Sequence, residues 1–389
     1  MATQRDARMN FAFTTEQEQV RDTARGFARR EITPRAKAID ETAEFDWDLH
    51  RKLGALGFLC MTAPEVYGGA ATDTVTWCIA VEEIAKASSA VANGMTLTES
   101  MAHYITTLGT EVQKQEVLPA LATGREICAF GLTEPGAGSD AKSVATTARR
   151  DGDDWILDGR KMFISGALLA DWFIIVATVD KALGARGVHT FLVRKGTPGL
   201  ACGSKLDLLG IRGFGTAPLF LDECRVPATA LLGTSDDGFA QVMRGLDGAG
   251  RLGAAAMAVG LAQAAMDAAL AYAREREQFG RPIADFQAVQ FMLADMSTEI
   301  DAARLLMHKA AWRRDQGLPF TRESSHAKLY AGDMCMRNVT NAMQIFGGYA
   351  YSKEYPVERY FRDAKIHQIW DGTNEIQRII IARHLLRES

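Results

Sequence analysis

The sequence predicts an α+β protein of several domains: an N-terminal α-helical domain, a middle antiparallel β-barrel and a C-terminal four-helix bundle. Three observations carry this. Helical spacing of apolar residues fills the first third, and it returns in the last. Between them lie short β-branched and aromatic runs broken by turn dipeptides. A length of 389 residues suits two or three domains, and the changes in pattern place them at 1–125, 126–235 and 236–389.

Thr15 with Glu18 has capping-box spacing and opens a helix expected to run to about Arg30, before Pro34. Further helices are expected over roughly 46–56, 74–88 and 110–121, with a turn at 64–69 separating two of them. Ile127 to Thr133 begins the strand series. Trp155-Ile-Leu is flanked by Asp151-Gly152 and Asp158-Gly159, each a tight-turn signal. Phe173 to Thr178, His189 to Val193 and Leu219 to Asp222 continue it, with no room for an ordinary helix between them. That pattern favours an antiparallel sandwich or barrel over βαβ units. After Asp236, four helices are expected at about 254–274, 285–314, 321–346 and 374–386; Gly260 in the first suits close helix approach.

Composition removes several functions. Forty-four Lys and Arg against 48 Asp and Glu leave a net charge of −4, unlike a nucleic-acid-binding surface. No apolar run looks long enough to cross a bilayer, so no membrane insertion is expected; the Trp172 to Val179 run is too short. The polar Met1 to Asn10 lacks a signal peptide's apolar stretch. Six scattered cysteines without a CxxC pair read as reduced thiols, and seven histidines show no metal-ligand spacing. A cytoplasmic protein is expected. Gly248-Ala-Gly250-Arg-Leu-Gly253 matches GxGxxG. Yet Phe239, Val242, Met243 and Leu246 before it have helical spacing, where the dinucleotide motif needs a strand. A joint between helices is the better reading.

Residues 130–140 read Phe-Gly-Leu-Thr-Glu-Pro-Gly-Ala-Gly-Ser-Asp. Such a loop exposes backbone N–H groups and admits close approach, although a plain Pro-Gly turn accounts for it about as well. Later come Arg274-Glu-Arg276 with Gln278-Phe279-Gly280, then Gln344-Ile-Phe-Gly347-Gly348-Tyr349, and Tyr360-Phe-Arg362-Asp363-Ala-Lys365. Trp370-Asp371-Gly372-Thr373-Asn374-Glu375-Ile-Gln377-Arg378 closes the series. In this order and separation, the segments resemble the acyl-CoA dehydrogenase family of flavoproteins over essentially the whole chain.

The resemblance implies the same three-domain plan, FAD as cofactor, an acyl-CoA substrate, electron-transfer flavoprotein as electron acceptor and a homotetramer. It implies that Phe130, Leu132, Thr133, Gly138 and Ser139 meet the flavin, with Ser139 also near the substrate's pantetheine. Phe163-Ile164-Ser165 matches the family's Trp-Ile-Thr, which puts Ser165 near flavin N5. Arg276, Phe279 and Gln287, with Gln344 and Gly348, are implied to bind the ADP part across a subunit boundary. Thr373, Asn374 and Glu375 are implied to contact FAD where a helix N-terminus suits phosphate. Ser139, Arg251, Trp370 and Gly372 are implied on the substrate side.

One departure matters. The family usually has Glu before the Gly-Thr, as the base that takes the substrate α-proton; here it is Asp371. The implied reaction is α-proton abstraction by Asp371 with β-hydride transfer to flavin N5, giving an α,β-unsaturated acyl-CoA. The Asp371 backbone N–H and a flavin hydroxyl are implied to hold the thioester oxygen. Asp is one methylene shorter, so its carboxylate retreats by roughly 1.5 Å, and small misplacements cost heavily. Three readings stay open: an α-branched or alicyclic acyl-CoA such as cyclohexanecarboxyl-CoA, a nitroalkane oxidase-like enzyme acting on a non-CoA carbon acid, or a weakly active or non-catalytic member. The family's other base position lies just before Arg251 and holds Gly250. The 246–251 segment is one residue longer than usual, which leaves a contact of Asp247 with CoA open. Trp370 replaces the usual Tyr, as a wall for a ring or as plain packing. Glu99 and His103 are open between the acyl end and helix-surface roles.

Overall fold

The computed structural model describes residues 11–234, 238–247 and 249–387. The N-terminal region contains α1 (Thr15–Phe27), α2 (Ala36–Thr42), α3 (Trp47–Ala55), α4 (Thr74–Ala87), α5 (Ser89–Leu108) and α6 (Glu111–Ala122). The capping box of α1 sits one residue earlier than expected. The Thr14 hydroxyl accepts from Gln17 N at 3.2 Å, and the Gln17 side chain accepts from Thr14 N at 3.1 Å. Thr14 is the extended residue and Thr15 is already helical. A π-helical turn, Ala28–Ile32, ends this helix. The sequence reading passed over α5, the longest helix here. Its polar Thr96, Thr98 and Glu99 are buried together with Met95, Met101 and Tyr104, so no apolar stripe marks a core face.

The sheet contains β1 (Cys128–Gly131), β2 (Thr147–Asp151), β3 (Asp154–Ile164), β4 (Trp172–Thr178), β5 (Val188–Arg194), β6 (Leu200–Cys202), β7 (Ala217–Pro227) and β8 (Leu231–Leu232). Its order is β6-β7-β3-β2-β4-β5-β8, with β1 beside β4. The expected antiparallel barrel is therefore corrected on two counts. First, β1 and the first residue of β2, Thr147, both pair parallel with β4, because the chain leaves β1 through the long 132–146 loop before reaching β2. Second, the sheet stays open: its end strands β6 and β8 are only three and two residues long and pair with β7 and β5. Edges that short cannot zip a barrel shut. Asp151-Gly152 does turn the β2–β3 hairpin, with Gly152 at φ +61°. Asp158-Gly159 does not turn; it is a bulge inside β3, where the register against β7 slips between Leu157 and Gly159.

The last region contains α7 (Phe239–Asp247), α8 (Gly250–Glu275), a hairpin of β9 (Glu277–Gln278) and β10 (Arg281–Pro282), α9 (Gln287–Asp315), α10 (Thr321–Phe346), α11 (Val357–Ala364) and α12 (Asn374–Leu385). Helices α8, α9, α10 and α12 answer to the four expected. Gly248 of the GxGxxG match lies outside the described residues; Gly250 to Gly253 form the first turn of α8, and the element before the motif is the helix α7, not a strand. A Cβ at Gly260 would lie 2.4 Å from the Glu82 carbonyl, so glycine is what lets α4 lie directly against α8. Trp77, Ile84, Met257, Leu261, Met296 and Met334 belong to one core spanning both helical regions. Contrary to the sequence expectation, a stretch within 239–275 is long and apolar enough to cross a bilayer; 67% of it is buried inside the fold, as a core helix is.

Candidate active site

The first half of the site is a loop clamped to a strand. Phe130, on β1, is half-buried and packs on the Tyr104 ring of α5 at 5.5 Å. The chain then leaves the sheet through Leu132, Thr133 and Glu134. The buried Glu134 carboxylate accepts from Ala145 N (2.6 Å), Thr146 N (3.0 Å), Thr146 Oγ1 (2.5 Å) and Lys161 Nζ (2.6 Å). Lys161, wholly buried on β3, also donates to the Leu132 carbonyl at 3.3 Å, and Met162 N donates to the Thr133 carbonyl at 2.8 Å. These bonds join 132–134 to the 161–165 segment. Burial pushes Glu134 up, but Lys161 and the hydrogen bonds outweigh it and hold the carboxyl below its usual range. Burial pulls Lys161 down to about 8, against Glu134.

Phe163 turns outward at φ +58° and is 59% exposed, with the half-buried Ser165 two residues on. Ile164 is buried in the sheet core. Gly138 and Ser139 are exposed. A Cβ at Gly136 or Gly138 would meet nothing within 4 Å, and the same holds at Gly347 and Gly348.

The second half is a turn on the helical bundle. Asp371 and Gly372 are both left-handed, at φ +52° and +80°. That conformation is uncommon for Asp and typical of strained functional turns. The Asp371 carboxylate faces Gly250, where a Cβ would lie 3.2 Å from Oδ1. The two family positions for a base therefore share one space here, and glycine leaves it open to Asp371. Burial raises the Asp371 pKa; Lys328 and Arg251 oppose it. The residue is still exposed to water, so desolvation acts at less than full weight.

Arg251 is buried, donates to Ser324 Oγ at 3.0 Å and pairs with Asp247. Thr321 Oγ1 donates to the same Asp247 carboxylate at 2.7 Å. Asp247 is thus engaged inside the chain. Burial pulls Arg251 down to about 10, with Asp371 opposing. Trp370 is half-buried, its Nε1 has no partner among the described residues, and its ring meets His367 edge-on at 5.2 Å. Glu99 accepts from Thr62 N at 3.1 Å and from Thr62 Oγ1 at 2.5 Å, while His103 Nδ1 lies 3.1 Å from Arg314. Both belong to a buried polar cluster and not to a helix surface.

The remaining sequence candidates sit around the bundle's end. The Arg276 guanidinium lies over the Tyr349 ring at 5.4 Å, beside the exposed Gln344 and Gly348. Phe279 tips the β9–β10 hairpin at 94% exposure, edge-on to Phe286, and Gln287 opens α9. Thr373 caps α12, accepting from Ile376 N at 3.3 Å. Asn374 instead turns inward, donating to Asp333 Oδ1 (2.7 Å) and the Leu329 carbonyl (3.3 Å), and Glu375 is exposed. Four residues were not singled out from sequence: Glu134, Lys161, Lys328 and Gln377. A lysine within the buried stripe Ser324, Lys328, Ala331, Cys335 was the available signal. A flat ring against Phe163 and the 130–134 loop, and a phosphate-bearing tail along the open glycines and the start of α12, fit these surfaces.

A sheet domain between two helical regions that share a core, with a carboxylate on a turn at a helix start, agrees with the resemblance read from the sequence. Family models agree: the acyl-CoA dehydrogenase N-terminal domain matches residues 14–125, the middle domain 129–224 and the C-terminal domain 236–386. The chain belongs to the acyl-CoA dehydrogenase family. It is 47% identical to a probable acyl-CoA dehydrogenase of Bacillus subtilis over 97% of this chain and 100% of that protein. It is 42% identical to the short-chain specific acyl-CoA dehydrogenase of Clostridium acetobutylicum over 97% and 100%. Among solved structures, butyryl-CoA dehydrogenase from Megasphaera elsdenii matches at 41% identity and TM-score 0.94, covering 97% of this chain and 100% of that one. A chain from work on the electron transferring flavoprotein of Acidaminococcus fermentans matches at 43% and 0.95, covering 97% and 100%. Members of this family use FAD to oxidise acyl-CoA esters.

Proposed function

We propose that Asp371 is the base that removes the α-proton of an acyl-CoA thioester, and that the acyl group is compact and α-branched or alicyclic. The observation that carries this is the Asp371 carboxylate facing the bare Cα of Gly250. A base one methylene short needs the α-carbon brought to it. Bulk at that carbon does so, and Gly250 leaves space on that side. Trp370 offers an apolar wall for the bulk. The Asp371 backbone N–H holds the thioester oxygen, and Arg251 adds positive charge beside the developing enolate. Bound FAD supplies the acceptor for the β-hydride. Phe130, Leu132, Thr133, Gly138, Ser139 and the 163–165 segment hold the ring end of FAD. Arg276, Phe279, Gln287, Gln344, Gly348, Thr373 and Glu375 hold its ADP end, with Asn374 acting only through its backbone.

The expected partner is an electron-transfer flavoprotein, supported by the Acidaminococcus match. A homotetramer in the cytoplasm is supported by the exposed Phe279, Phe291 and Trp312 of the C-terminal domain and by six free cysteines. A straight short acyl chain is the second reading, favoured by the short-chain and butyryl relatives. Anaerobic spectra of the FAD-loaded protein separate the two. Bleaching by cyclohexanecarboxyl-CoA or isobutyryl-CoA, and not by butyryl-CoA, supports the branched reading. The opposite order overturns it, and peroxide from nitroalkanes without any response to CoA esters points to an oxidase.

A further inference from the structure

The turn carrying Asp371 is held from beneath by one buried cation. Lys328 of α10 is 1% exposed. Its Nζ donates to the Gly372 carbonyl at 2.8 Å and to Asn374 Oδ1 at 3.0 Å. Gln377 Nε2 reaches the same turn from α12, donating to the carbonyls of Asp371 (3.1 Å) and Gly372 (2.9 Å). Two left-handed residues in succession persist only where their surroundings over-determine them, and the three bonds to the Asp371 and Gly372 carbonyls do that.

Both hydrogen-bond partners of Lys328 are neutral oxygens. A buried ammonium with neutral partners is costly unless carboxylates lie within its field. Three do: Asp371, Asp333 and Glu375, in that order of influence. Asp333 is already engaged by Arg378 Nη2 at 2.9 Å, by Asn374 at 2.7 Å and by Gln368 at 2.8 Å. Glu375 is exposed at the start of α12, where water screens it. Asp371 is left as the main counter-charge. The other titratable group facing it is Arg251 from α8, which opposes burial as Lys328 does, while the buried His367 from the segment before the turn faces Lys328. Burial holds His367 neutral, at about 3. Arg251 is shared with Asp247, so its charge is partly spent.

We propose that Lys328 is a positioning residue for the base: its ammonium fixes the Asp371–Gly372 turn and supplies the charge that keeps the Asp371 carboxylate ionised when an acyl chain covers it. This rests on Asp371 being the base, and it extends that reading to a residue that does not touch the substrate. Covering Asp371 with an apolar acyl group removes the water that stabilises its charge. A cation fixed on the protein side of the turn is not displaced by that step and grows in influence as the dielectric falls. Its own pKa of about 8, pulled down by burial against Asp371, caps the useful range. Above that pH the lysine loses its charge and the base loses its support.

The test reads proton removal separately from electron transfer. The FAD-loaded protein is given an acyl-CoA whose β-carbon is replaced by sulfur, so that no hydride can leave, and α-proton exchange with heavy water is followed across pH by mass spectrometry. Wild type and the Lys328→Met, Lys328→Gln and Lys328→Arg variants are compared, with FAD content and melting recorded for each. In Lys328→Met the rising limb of the exchange profile is expected to move up by about one pH unit, slowing exchange on that limb roughly tenfold. Lys328→Gln keeps a donor without the charge and is expected to move likewise, while Lys328→Arg restores most of the wild-type profile. An unmoved limb in the charge-free variants overturns the proposal. If Lys328→Met fails to fold, Lys328→Gln decides alone; if neither folds, a purely structural lysine is the conclusion and the proposal is overturned. Asp371→Asn is the separating control. Full exchange in it removes the base assignment itself, whereas no exchange in it with an unmoved limb in Lys328→Gln removes only the role of Lys328.

Discussion

Among the described residues two lysines are buried almost completely, Lys161 in the sheet domain and Lys328 in the bundle. Both sit under a segment of the candidate site, and burial pulls both down to about 8. They differ in what they hold. Lys161 meets Glu134 directly at 2.6 Å, and that carboxylate is saturated by three further donors, so the pair is closed on itself. Lys328 meets only a carbonyl and an amide oxygen, and its charge reaches past them to Asp371. A closed pair makes a rigid platform, which suits a loop that must lie flat against a ring. An open cation makes a field, which suits a base that must stay charged while being covered.

The comparison is sharpened first at the base. Asp371→Asn is expected to cut α-proton exchange by about 10³-fold, since a positioned base contributes roughly 10²–10⁴. FAD should be retained, and flavin bleaching should be lost. The wild-type rate should rise with pH through an Asp371 pKa lying above the usual carboxylate range, because only the ionised form accepts a proton.

The next largest effect falls on the closed pair. Lys161→Met leaves the Glu134 charge buried without its cation and is expected to cost about 3–5 kcal/mol, seen as a lower Tm with loss of FAD. Adding Glu134→Gln should return part of it. Glu134 is held below its usual pKa, so its contribution is present above the unfolded carboxylate value and is lost as pH falls through the lowered one. The Lys161→Met deficit should therefore shrink in acid. Equal Tm losses in Lys161→Met and Lys328→Met would break the contrast between the two lysines.

Smaller effects follow at the edges of the turn. Gly250→Ala puts a Cβ 3.2 Å from Asp371 Oδ1, and the carboxylate must give by a few tenths of an ångström. Turnover is expected to fall roughly tenfold with no drop in Tm. Thr373→Ala removes the α12 cap for about 1 kcal/mol, a Tm change that scanning calorimetry resolves.

Much of this was legible in one dimension. Hydrophobic period changes mark the helical, sheet and helical regions, and the 130–140 and 370–378 segments name the family because their residue types and order are rare together. Asp371, Phe163 and Phe279 stand in the sequence as residues, yet nothing local says that all three adopt positive φ. α5 escaped notice because it is buried on polar and apolar sides alike, so periodicity has no contrast to report. The open sheet escaped because alternation specifies faces of a strand and says nothing about whether the end strands meet.

By itself, then, the sequence determined the domain plan, the family and the identity of the acid on the turn, since these depend on local pattern and residue type. Which groups surround that acid was decided only by tertiary structure. Gly250 and Arg251 come from 121 and 120 residues before Asp371 and Lys328 from 43 before it. Charge acts through space, and only folding brings those atoms within its range.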